Sequence, residues 1–158
     1  MSWSGGGKSV SQPPASDLIF LDSNIPMYAL GRIHPYQEPC RRILHAIGTG
    51  EIDAATSAEV HQEILHRYLS LHLGQMAIAV SERFEEAVPN ILAVTIPDIR
   101  RARELSVTYG RLPARDLIHV AVMLNNRITT IASADRHFDQ VAEIVRLDPM
   151  QWTPAGSV

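Results

Sequence analysis

The chain alternates five short apolar runs with longer stretches of helical periodicity, and this alternation restricts the fold more than any single motif does. The runs cover residues 18–21, 52–56, 91–96, 128–132 and 144–147. Two of them, "LIFL" and "ILAVTI", are nearly continuous in apolar residues, as strands covered on both faces tend to be. Helices are predicted over residues 35–48, 57–71, 75–88, 97–109 and 114–125. The fourth opens on Pro97-Asp98 and stops at Gly110, and Pro26 sits where a further helix would begin. Strands separated by helices pair in parallel through crossovers. The expected architecture is α/β, a three-layer α/β/α sandwich around a mostly parallel five-stranded sheet. One domain is expected over residues 17–149, with a flexible N-terminal tail at 1–16 and a C-terminal tail at 150–158.

Composition narrows the function classes. A formal charge of -3 argues against gripping nucleic acid by bulk charge, so any such contact needs local basic patches or cations that offset acids. Cys40 is the sole cysteine, which excludes an intrachain disulfide and favours a reducing, cytoplasmic setting. No window reaches the apolar length of a membrane span, and "MSWSGGGKSVSQPPAS" lacks the apolar region of a signal peptide.

Carboxylates recur at one edge. Ligands of an open parallel sheet gather beyond the carboxyl ends of its strands, where strand order reverses. Asp22 follows the first run directly. Asp135 follows the fourth, in "IASADRHFD", with Asp139 further along, and Asp116 opens the helix before it. On the second helix Val60, Ile64, Tyr68 and Leu71 form an apolar stripe, with Glu63 about 60° to its border side, able to reach inward. The helix "RDLIHVAVML" is apolar on nearly every side, so an unpaired Asp116 would cost on the order of several kcal/mol and needs a partner or a cation.

Taken singly, each acid has a structural reading. Asp22 can close a turn, Glu63 can pair with Arg67, Asp116 can sit at the positive end of its helix, and Asp135 and Asp139 can be loop acids. Together they come from separate segments. Two carboxylates about 5 Å apart repel by roughly 3 kcal/mol at an effective dielectric near 20. A cluster therefore raises its pKa values or binds a cation, and oxygen ligands favour Mg²⁺ or Mn²⁺ over Zn²⁺.

These residues resemble a PIN-domain ribonuclease, in particular the VapC-type toxins of toxin–antitoxin pairs. The resemblance rests on "IFLDSNI", "ATSAEVHQEIL", "RDLIHVAVM" and "IASADRHFD", in the family's order from residue 18 to about 147. It implies a divalent metal ion, endoribonuclease activity on RNA, a second copy of the chain in a homodimer, and a small antitoxin that blocks the site. It also implies that Asp22, Glu63, Asp116 and Asp135 form the catalytic acids, with Asp22, Asp116, Asp135 and Asp139 as metal ligands. Asp139 replaces or assists Asp135, since the fourth acid is the family's most variable point. Asn24 and Ser133 match supporting positions. Arg115 is a candidate RNA contact, whereas Arg100, Arg101 and Arg103 read as a solvated helix face.

Other readings compete. "EILH" and "DLIH" place Glu63 before His66 and Asp116 before His119, the spacing of di-iron sites in four-helix bundles. The wheel turns His66 to solvent and His119 off the face shared by Asp116 and Val120, and the strands break any long bundle pattern. His34, His45, His61, His72 and His137 show no zinc spacing. A carboxylate phosphatase with Asp22 as nucleophile wants a second Asp where Asn24 stands. An inactive PIN-like interaction module is opposed by the intact acids.

Overall fold

The computed structural model describes residues 16–155. Of the N-terminal tail expected at 1–16, Ser16 instead opens the first strand, while residues 1–15, like 156–158, lie outside the described residues. Strands β1 (Ser16–Leu21), β2 (Ala54–Ser57), β3 (Ile91–Leu92), β4 (Ile128–Ala132) and β5 (Val145–Leu147) form one sheet in the order β3-β2-β1-β4-β5. Every pairing is parallel. Helices α1 (Asn24–Leu30), α2 (Gln37–Gly48), α3 (Ala58–Ser70), α4 (Gly74–Ala87), α5 (Ile96–Thr108) and α6 (Ala114–Asn125) supply the crossovers and connections that parallel strands require.

Phe20 and Leu21 show why "LIFL" reads as it does. Neighbouring residues of a strand point to opposite faces, and both side chains are fully buried. The centre of the sheet is therefore covered on both sides, as in the expected α/β/α sandwich. Helix α6 is equally enclosed, with Leu117, Val120, Ala121, Val122 and Met123 all in the core.

The run "ILAVTI" behaves differently. Only Ile91 and Leu92 pair, at the sheet edge, and the chain then leaves for α5. Asp98 explains the early exit. Its Oδ2 accepts from the Thr95 N–H at 2.8 Å and from Thr95 Oγ1 at 2.9 Å, so Thr95 opens a helix instead of ending a strand. Ile96, counted in the predicted strand, is the first residue of α5 and is exposed. Helix α1, signalled only by Pro26, carries that proline in its first turn, where no backbone N–H is needed. Beyond Met150, where a tail was expected, Trp152 packs against the core and the Ala155 N–H donates to Glu51 Oε1 at 2.6 Å.

Strand order fixes where a site forms. From β1 the chain moves outward to β2 and β3, then returns to place β4 on the other side of β1. Order thus reverses between β1 and β4, and a crevice opens at their carboxyl ends.

Candidate metal centre

Asp22 is the first residue past β1 and is almost fully buried. Its Oδ1 accepts from the Ser23 N–H at 2.8 Å, while Oδ2 accepts from Ser133 Oγ at 2.6 Å and Asn24 Nδ2 at 3.1 Å. Asn24 also donates to Ser133 Oγ at 3.0 Å and accepts the Ala134 N–H at 3.2 Å, tying the ends of β1 and β4 together. Burial nevertheless raises the Asp22 pKa. His119 and the Ser133 hydrogen bond oppose that rise without cancelling it, and Glu63 adds to it.

Glu63 reaches inward from the border of the buried Val60, Ile64 and Tyr68 stripe, as the wheel predicts. Its Oε2 lies 3.1 Å from His119 Nε2. Burial pushes Glu63 up, but the His119 hydrogen bond and charge, with help from Ser23 and Arg115, hold it below its ordinary value. Asp116, in the first turn of α6, is pushed up to about 6 by burial and by the negative charges of Asp22, Asp135 and Glu63, with His119 opposing. Asp135 caps the 3-10 turn Arg136–Gln140, accepting the His137 N–H at 2.9 Å, and its amide donates to Ser133 Oγ at 3.0 Å.

Two donor groups result. Donor atoms of Asp22, Glu63 and His119 lie within 4.8 Å of one another, and so do those of Asp116, Asp135 and His137. His119 is the residue that the wheel misplaced. It is wholly buried, 3.8 Å from Asp22 Oδ1, with its ring against Phe20. Burial favours its neutral form, yet Glu63, Asp22 and Asp116 outweigh that and raise its pKa. The signal was present: a helix apolar nearly all round has no open face for a histidine, and positions i and i+3 are neighbours. His137, on the exposed rim, has Nδ1 at 3.3 Å from Asp135 Oδ1 and 3.6 Å from Asp116 Oδ2. No spacing in the sequence pointed to it.

The PIN domain family model matches residues 19–144, which spans all of these acids. The chain belongs to the PIN-domain family. Among curated relatives, ribonuclease VapC13 of Mycobacterium tuberculosis is 37% identical over 130 residues, covering 82% of this chain and 99% of the relative. Ribonuclease VapC23 of the same species is 33% identical over 118 residues, covering 75% and 93%. Among solved structures, VapBC2 from Rickettsia felis bound to a promoter DNA fragment superposes with a TM-score of 0.67 at 13% identity, covering 82% of this chain and 97% of that one. The last likeness is one of fold.

In this PIN domain the acids from β1, α3, α6 and the loop after β4 share one edge, and Asp139 stands apart. Arg146 holds its carboxylate at 2.8 Å and 3.1 Å, which lowers its pKa and takes up both oxygens. Asp139 joins neither donor group, so Asp135 is the acid brought to the cluster. Arg115 lines a pocket of about 370 Å³ with Glu63, His66 and Arg67. Arg100, Arg101 and Arg103 lie on the exposed side of α5, where Arg101 pairs with Glu104 at 3.6 Å. His66 is exposed and Glu63 is engaged by His119, which removes the di-iron arrangement. The donor set suits a hard cation: crowded carboxylates, with Asp22 and Asp116 both raised, have their mutual repulsion relieved by positive charge.

Proposed function

We propose that this PIN domain is a divalent-metal-dependent endoribonuclease, the toxin of a type II toxin–antitoxin pair, using Mg²⁺ or Mn²⁺. The observation that carries the reading is the convergence of Asp22, Glu63, Asp116 and Asp135 at the carboxyl edge of β1 and β4. RNA as substrate is supported by relatives named as ribonucleases, and an antitoxin partner by the VapBC complexes that share the fold. A homodimer and a cytoplasmic setting belong to the same proposal.

A bound ion would supply a water of lowered pKa and stabilise charge on the phosphate. Asp22, Asp116 and Asp135 would hold it, the first kept in place by Asn24 and Ser133. Glu63, lowered in pKa and so ionised at neutral pH, is suited to orient a water near the phosphate. The position of Arg115 at the pocket beside Glu63 supports a contact with a backbone phosphate.

The test is end-mapping of total RNA treated with purified protein, with Mg²⁺ or with a chelator. Cleavage is expected only with the ion, and Asp22→Asn and Asp116→Asn should each abolish it while the protein stays folded. Full cleavage by both variants, once contaminating nuclease is excluded, overturns the assignment.

A further inference from the structure

Among the described residues, His119 is the one fully buried histidine in contact with the acids, and the mechanism above gives it no task. Its two ring nitrogens have opposite surroundings. Nε2 faces Glu63 Oε2 at 3.1 Å and Asp22 Oδ1 at 3.8 Å. A lone pair aimed at two carboxylates would be repelled by both, so Nε2 carries the proton. Nδ1 is buried with no hydrogen-bond partner among the described residues.

This asymmetry decides between two roles. A histidine that binds a metal ion through Nε2 must carry its proton on Nδ1, and metal-bound histidines almost always donate that N–H to a carboxylate, carbonyl or water. Here such a donor would be buried without an acceptor, an arrangement that folded proteins avoid. With Nε2–H turned to Glu63, the neutral ring leaves at Nδ1 an unprotonated nitrogen in place of a stranded donor.

We propose that His119 is a positioning residue whose Nε2–H holds the Glu63 carboxylate towards Asp22, and that it binds neither the metal ion nor RNA. The proposal deepens the ribonuclease reading and rests on it for the identity of the site. Full burial keeps His119 from any RNA, so its influence passes through Glu63.

Gln and Asn variants separate the two ring nitrogens, because a Gln amide nitrogen falls near the Nε2 position and an Asn amide nitrogen near Nδ1. Mn²⁺ binding to the metal-free protein would be followed by electron paramagnetic resonance, and kcat and KM measured on RNA. His119→Asn, by releasing Glu63 from its place beside the metal-holding Asp22, is expected to lower kcat and Mn²⁺ affinity about 10- to 100-fold with KM for RNA unchanged, whereas His119→Gln stays within about threefold of wild type. In a Glu63→Gln background the Asn substitution should add little. Thermal unfolding checks that both variants are folded, and their similar size and polarity equalise any packing loss. Equal behaviour of Gln and Asn, or an undiminished effect of His119→Asn in the Glu63→Gln background, overturns the proposal. So does a nitrogen coupling to Mn²⁺ that disappears in His119→Gln. Mn²⁺ binding is read without RNA. A protein in which His119→Asn weakens Mn²⁺ binding, His119→Gln does not, and RNA is left intact would therefore sink the ribonuclease reading alone and support the positioning role.

Discussion

Asp116 holds its proton to about pH 6 because burial and three neighbouring carboxylates disfavour its charge. In the unfolded chain the same group titrates near 3.8. Between these values the native state binds more protons than the unfolded one, so this group's contribution to stability falls as pH rises through that window and stays low above it. In metal-free protein, Asp116→Asn should therefore exceed wild type in stability by about 1–3 kcal/mol at pH 7.5, with the gap closing below about pH 4. Urea titrations across pH would show it, and a gap of constant size would contradict the assignment of charge crowding. At this scale the sequence was partly legible. Asp22 stands out because it ends an apolar strand, Asp116 because it opens an apolar helix, and Glu63 because it borders a stripe. His119 is not legible from the Asp116–Val120 face, because the inward side of α6 is wide enough to bury Leu117, His119, Val120, Ala121, Val122 and Met123 together. Asp135 and Asp139 were indistinguishable in sequence, since Arg146, which engages Asp139, comes from β5 and no local pattern links the two.

The same apolar pattern produced two different elements. In β1 it is a central strand, and in "ILAVTI" it is a two-residue edge strand followed by a helix start. Strand propensity at an edge wins less, because only one neighbour is available for pairing, and a local cap can outcompete it. Thr95 and Asp98 form that cap, and Asp98 Oδ1 also accepts from Asn125 Nδ2 at 2.8 Å, joining α5 to the end of α6. Thr95→Ala should lower stability by about 1 kcal/mol, read as a shifted denaturant midpoint at constant slope, with RNA cleavage unchanged. Loss of cleavage in that variant would show that the cap reaches the site. Helix boundaries elsewhere agree with the periodicity within a residue or two. Helix α1 escaped the periodic reading because its seven residues are too few to show a pattern.

For the whole molecule, parallel pairing and layering followed from the order of strands and helices, but the reversal at β1 and β4 did not. Sheet order depends on which strands meet in space, and neither run carries a mark of its neighbour. The convergence of the acids was therefore an inference from their number and placement. It has a thermodynamic counterpart. An ion that binds only the folded state stabilises it by about 2.7 kcal/mol at a hundredfold excess over Kd. For a chain of this size that raises Tm by roughly 5–10 °C. Mn²⁺ should produce such a shift in wild type and little or none in Asp22→Asn, as scanning calorimetry would register. Equal shifts in both would place the ion elsewhere.

The contact between Asp22 and Ser133 spans 111 positions of sequence. During synthesis the early acids emerge long before the strand that completes their setting, so a growing or prematurely terminated chain lacks Ser133 and Asp135 altogether. The acidic cluster therefore cannot assemble until β4 and the loop that follows it have been made.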